Sequence, residues 1–138
     1  MRVMAVDYGD AHTGIAVSDP TGFLTGYTGV IDMHDTVRCA DLVAAAAREH
    51  EAGRIVVGRP LNMNGTAGDR VSKAEAFAAL LRERIDVEVV LWDERLTSVD
   101  ANRILSNAGK KRKKQKRLVD AVAASLILES YLDFASRG

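Results

Sequence analysis

Apolar residues come in short bursts along the first third of the chain, each closed by a polar or glycine-bearing break. Val3-Met4-Ala5-Val6 stops at Asp7-Tyr8-Gly9, a second burst occupies 13–17, and a third spans 23–31. Bursts of this length, punctuated by Gly9, Gly14, Pro20, Gly22 and Gly26, predict three strands joined by tight turns, and hence a meander. The spacing then becomes helical. Val37, Ala40, Ala44 and Ala47 recur behind Asp35, a good N-cap, so a helix is predicted over 36–50 with Gly53 as its stop. A fourth strand follows at 54–58, Val71, Ala74, Ala78, Leu81 and Ile85 mark a second helix, and 87–92 reads as a fifth strand. Thr97 is placed to cap a short helix to about residue 106, and a last helix is predicted over 118–134.

Strand and helix alternate in the second half, which requires crossovers and makes those strands parallel to the first. The pattern predicts an α/β fold with a five-stranded mixed sheet. Chemistry in such a sheet is expected at the carboxyl ends of the strands, where Asp7 and the pair Asp93-Glu94 fall. Asp7 has a plain reading as a turn aspartate bonding its own backbone, and Asp93-Glu94 as an acidic pair favoured by a helix dipole. Asp120 is harder to explain that way. Its helix reads Leu118, Val119, Ala121, Val122, Ala123, Ala124, Leu126, Ile127, Leu128, apolar on nearly every side, so its carboxylate needs a partner.

A first-turn position would stabilise that carboxylate by only ~0.3–1 kcal/mol, which does not offset desolvating a lone charge. No lysine or arginine follows on the same helix before Arg137, so the cation must come from the preceding basic stretch or from a metal ion. Three carboxylates from three elements at one sheet edge are hard oxygen ligands of the kind that suit Mg²⁺ or Mn²⁺. A two-metal site of ~3.5–4 Å separation would hydrolyse a phosphodiester by in-line displacement.

Composition narrows the classes. Hydrophobic residues make up 47% and charged residues 28%, a globular balance, and the length suits one domain covering 1–138. Apolar stretches such as 121–124 and 126–128 fall far short of the roughly 20 residues that cross a bilayer, and 1–7 is too short and too acidic for a signal peptide, so a cytoplasmic location without membrane contact is expected. A lone Cys39 with scattered His12, His34 and His50 offers no zinc spacing, and seven aromatic residues are too few for a base-stacking platform.

The formal net charge is zero, yet the charge is segregated. Lys110, Lys111, Arg112, Lys113, Lys114, Lys116 and Arg117 crowd into eight positions, leaving 12 basic against 19 acidic side chains elsewhere, a net of −7. The run lies directly before the helix bearing Asp120, placed as a loop to hold a phosphate backbone by charge and shape. The glycine-punctuated stretch 58–68 leads into the second helix, whose N-terminus is a candidate anion site.

Four ordered blocks carry a family resemblance: 7–19 (Asp-Tyr-Gly-Asp-Ala-His-Thr-Gly-Ile-Ala-Val-Ser-Asp), 57–65 (Val-Gly-Arg-Pro-Leu-Asn-Met-Asn-Gly), 92–98 (Trp-Asp-Glu-Arg-Leu-Thr-Ser), and the lysine-rich run with 119–124 (Val-Asp-Ala-Val-Ala-Ala). They resemble the bacterial YqgF/RuvX family over nearly the whole chain. The resemblance implies a ribonuclease H-like fold with helices on both faces of the sheet. It also implies a nuclease that matures the 5′ end of pre-16S ribosomal RNA, with Holliday junction resolution as an older assignment. Its acidic site would fall on Asp7, Glu94 and Asp120, with Asp93 adjacent and Arg95 a phosphate or structural contact. Two positions depart from the family pattern: His12 stands where arginine is common, and Arg59 replaces the leucine of Gly-Leu-Pro. A protonated His12 would meet a phosphate only at lower pH, and Arg59 would restore a nearby positive charge.

The leading expectation is therefore a Mg²⁺- or Mn²⁺-dependent endonuclease on structured RNA, a ribosomal RNA precursor, with the ribosomal particle as a partner and a monomeric or homodimeric state. A four-way DNA junction resolvase would need paired sites in a dimer. A non-catalytic RNA-binding assembly factor is a third reading, dependent on the basic run and indifferent to the carboxylates. Asp7-x-Gly-x-x-x-x-Gly14 is also similar to the first phosphate loop of actin-like ATP-binding proteins, whose second half this chain lacks.

Overall fold

The computed structural model describes residues 1–60, 68–94 and 112–137. Its elements are β1 (Arg2–Asp7), β2 (His12–Ser18), β3 (Thr25–Asp32), α1 (Thr36–Glu49), β4 (Ala52–Arg59), α2 (Asp69–Arg82), β5 (Glu88–Asp93) and α3 (Arg112–Arg137). The five strands form one sheet in the order β3-β2-β1-β4-β5. β1, β2 and β3 pair antiparallel, as the meander predicted, while β4 pairs parallel with both β1 and β5. The carboxyl ends of β1, β4 and β5 therefore lie along one edge.

Alternation along the strands sorts side chains onto two faces. Met4, Val6, Ile15, Val17, Ile55, Val57 and Val89 join Cys39, Val43, Ala44, Ala74, Phe77 and Leu81 in the core beneath α1 and α2. Val3, Ala5, Ala16 and Val56 join Ala124, Ile127, Leu128, Tyr131 and Leu132 beneath α3. Helices thus cover both faces. Asp35 caps α1 as read, its Oδ1 accepting from the Arg38 amide at 3.0 Å.

Several expectations change in detail. Phe23 is not in a strand: β3 starts at Thr25, and Phe23 and Leu24 are 70% and 68% exposed on a turn. The Asp19 carboxylate makes that turn by accepting from the amides of Gly22, Phe23 and Leu24 and from the Thr21 hydroxyl. On α1 the inward stripe runs through Cys39, Ala40, Val43, Ala44 and Ala47, so Val37 faces solvent. The largest correction concerns the end of the chain. The basic run is not a loop throughout, because helix α3 begins at Arg112 and carries Arg112, Lys113, Lys114, Lys116 and Arg117 in its first turns. Lysine and arginine are good helix formers, and nothing breaks the chain between them and Leu118. Nor is α3 fully buried all round: Ala124, Ile127, Leu128, Tyr131 and Leu132 form one buried stripe, while Ala121, Val122, Ala123 and Leu126 are only partly covered. Lys110, Lys111, Arg95 and the helix predicted from Thr97 lie outside the described residues.

Candidate active site

Asp7 is the last residue of β1 and pairs in register with Gly14 of β2. The turn between them is held by Thr13, whose buried hydroxyl lies 3.3 Å from the Gly9 amide and accepts the Cys39 thiol at 3.4 Å. Gly14 decides what lies above. A β-carbon at Gly14 would run into the carbonyl oxygen of Asp120 and lie 2.7 Å from its carbonyl carbon. The missing side chain is what lets the α3 backbone rest on the sheet and brings Asp120 over the end of β1. Gly58 does the same for the third carboxylate. A β-carbon there would lie 2.8 Å from Glu94 Oε2 and 2.7 Å from Ile127 Cδ1.

Strand parity separates the two acidic residues of the pair. Val3 and Ala5 face α3, so Asp7 does too; on the neighbouring strands Val56 places Gly58, and Val90 and Trp92 place Glu94, on that same face. Asp93 follows the parity of Val89 and Leu91 and falls on the α1/α2 side. Trp92 fixes the end of β5 against α3, donating from Nε1 to the Ser130 hydroxyl at 3.1 Å and meeting Tyr131 edge-on at 5.4 Å between centroids. Asp120 lies more than two turns into α3, so the dipole contribution expected for a first-turn residue does not apply.

Charge crowds at this edge. Part of Asp7 still meets solvent, but protein surrounds it densely enough to strip most of its water. Desolvation first, then the charges of Glu94 and Asp120, push its pKa from 3.8 up to about 7, against the opposing pull of Arg70. Glu94 is likewise raised, by desolvation and the Asp93 charge, with Arg70 again opposing. Three carboxylates whose charges oppose one another in a partly dry site are a donor set that a hard divalent cation would neutralise. Among the described residues, no three His, Cys, Asp or Glu side chains already close on a single point as a cage. Mg²⁺ seldom asks for one, since it is typically held by one or two carboxylates, waters and substrate phosphates.

Arg70 is the residue that sequence reasoning missed. It stands in the first turn of α2, where the helix dipole disfavours a cation by roughly 0.3–1 kcal/mol, next to the acidic residue, Asp69, that belongs there electrostatically. A basic residue against the dipole, just after a glycine-rich connection, was the available signal. Of the other candidates, His12 shares the α3 face, but its Nδ1 lies 2.7 Å from Asp32 Oδ1. Arg59 falls on the α1/α2 face by parity, with its Nε buried and lacking a hydrogen-bond partner among the described residues.

A mixed sheet in the order 3-2-1-4-5, with helices on both faces and acidic residues at the carboxyl ends of β1 and β5, is the ribonuclease H-like architecture of resolvases. Thermus thermophilus RuvC bound to a Holliday junction superposes with a TM-score of 0.64 at 14% identity, covering 99% of this chain and 97% of that one. The fowlpox virus resolvase bound to junction DNA gives 0.59 at 12% identity, covering 98% and 99%. At such identities the likeness concerns the fold. The chain belongs to the RuvX family, whose model, described as Holliday junction resolvase, matches residues 1–134. Among its relatives, an Acetivibrio thermocellus protein is 43% identical over 135 residues, 96% of each chain, and one from Halothermothrix orenii is 38% identical over 137 residues, 99% of this chain and 98% of its own. Both are named as candidate nucleases of pre-16S rRNA. Among the described residues, no helix is long and apolar enough to cross a membrane.

Proposed function

We propose that this chain is a divalent-cation-dependent nuclease of the cytoplasm that cleaves phosphodiesters in structured RNA, the 5′ end of pre-16S rRNA being its target. Asp7, Glu94 and Asp120 are the residues that would hold Mg²⁺ or Mn²⁺. The observation that carries this reading is the pair of glycines, Gly14 and Gly58, whose missing side chains make room for Asp120 and Glu94 beside Asp7. Bound there, such a cation supplies the activation of water and the neutralisation of charge that an in-line displacement requires. The chain's own part is to present ionised oxygens. Asp7 would give up its proton once a cation offset the repulsion of Glu94 and Asp120, and Gly58, having no side chain, leaves room for the Glu94 carboxylate at the end of β4.

Pre-16S rRNA is favoured as target by the names of relatives at about 40% identity across their full length. The junction-resolvase reading is supported by the description of the family model itself. One assay separates them. The purified protein with Mn²⁺ is offered pre-16S rRNA and a four-way DNA junction, alongside Asp7→Asn and Asp120→Asn. Cleavage of the RNA alone, lost in both variants, is the expected result. Symmetric paired cuts in the junction would favour resolution, and activity persisting in both variants would reject the carboxylate site.

A further inference from the structure

The face of α2 that meets the residues following β1 is built at a spacing of three and four residues. Phe77 is fully buried and stacks on Tyr8 at 4.4 Å between ring centroids, and Lys73 Nζ sits 3.0 Å from Asp10 Oδ2. Arg70, one turn nearer the start of the helix, shares that face. Tyr8 is further fixed by its hydroxyl, 2.8 Å from Thr36 Oγ1, so the first turn of α2 is pinned against the residues that directly follow Asp7. Between them lies a cavity of about 90 Å³ lined by Tyr8, Gly9, Asp10, Arg70 and Lys73. Its lining carries two cations and one anion. Lys73 is matched by Asp10, whereas Arg70 has no hydrogen bond or ion pair among the described residues.

We propose that Arg70 holds a backbone phosphate of the substrate in this cavity, one position along the strand from the bond presented to Asp7, Glu94 and Asp120. This inference rests on the nuclease reading of the carboxylate site. A guanidinium is suited to the task because its planar fork binds two phosphate oxygens at once and remains charged at any working pH. Its charge also reaches Asp7 and Glu94, which places it at the mouth of the acidic edge. The acidic edge by itself repels a polyanion, and Arg70, its charge not committed to an ion pair as that of Lys73 is among the described residues, lets the substrate approach.

The test compares the parent with Arg70→Ala and Arg70→Lys, both at an exposed position where folding is little affected. Affinity for a labelled RNA hairpin and a labelled four-way DNA junction is measured by anisotropy in EDTA across a salt series, and kcat and KM with Mn²⁺. Arg70→Ala is expected to bind about tenfold more weakly, with a salt slope shallower by about 0.7 on single strands or 0.9 on duplex. Arg70→Lys should keep the slope and recover part of the affinity. Parental affinity and slope in Arg70→Ala would overturn the proposal, as would reduced stability with an unchanged slope, the signature of a residue that only balances the carboxylates. Asp7→Asn separates the two levels: retained cleavage there rejects the nuclease site, while dead Asp7→Asn alongside parental binding in Arg70→Ala rejects the subsite alone.

Discussion

Asp7 and Asp19 begin alike: each closes a strand region and each leads into a turn containing glycine. Their surroundings make them opposites. Asp19 collects three backbone amides and the Thr21 hydroxyl, and those hydrogen bonds, the Thr21 bond foremost, hold its carboxyl below the ordinary range. Asp7 meets burial and two like charges, and its carboxyl rises to about 7. A carboxylate serving the fold has its charge satisfied by nearby donors. One suited to a ligand carries a charge that the protein leaves for something else to balance.

The largest break in this comparison comes from neutralising Asp7. Asp7→Asn should lower metal-dependent cleavage by at least about 10²- to 10³-fold while raising the melting temperature of the metal-free protein above pH 7, since the amide removes the crowding. Asp19→Asn should do the reverse, lowering the melting temperature by a few degrees and leaving kcat unchanged. If both variants moved activity and stability in the same direction, the contrast would fail.

Next is Gly14→Ala. Its methyl group cannot share space with the Asp120 carbonyl, so α3 must lift at that point. Overpacking of this kind costs about 1–3 kcal/mol, readable in urea unfolding, and cleavage should fall with it because Asp120 moves away from Asp7.

The pH response sharpens the contrast further. Folded Asp7 keeps a proton that the unfolded chain has already released above 3.8, so the metal-free protein should lose stability as pH rises through the interval up to about 7. Asp19 acts with the opposite sign: its folded pKa is lowered, so its contribution is present above the ordinary carboxylate range and is lost on acidification. Melting temperatures across pH should therefore slope downward toward neutrality in the parent and flatten in Asp7→Asn. Mn²⁺ should bind more tightly as pH rises through 7 and release protons as it does.

The last test of the contrast is electrostatic and concerns binding alone. If about four charges of the basic run meet phosphates on a single strand, neutralising them should make log K against log salt shallower by roughly 3, measured by anisotropy on a single-stranded RNA. A variant with the parent's slope would remove that run from the interface.

Much of this arrangement was readable in the chain itself. The meander, the crossovers and the inward stripe of α2 follow from apolar spacing, because burial on one face imposes a period that composition cannot hide. The choice between Asp93 and Glu94 is also a matter of parity, but it needs the strand register, which spacing in a six-residue strand does not define. The start of α3 was misplaced because charge was read as loop, although lysine and arginine sustain a helix as well as leucine nearly does. Arg70 stands out in the sequence only as a cation set against a helix dipole, a weak signal, and only the fold brings it beside the end of β1.

The unbroken course of α3 has a mechanical consequence. Arg112 and Asp120 belong to the same helix, so about 12 Å of axial rise separates the first basic turn from the carboxylate without a hinge between them. The helix acts as a ruler. On the proposed reading, in which a strand is gripped at the basic end and cut beside Asp120, adding one helical turn between Arg117 and Asp120 would displace the cut along the substrate by a fixed step instead of merely weakening the grip.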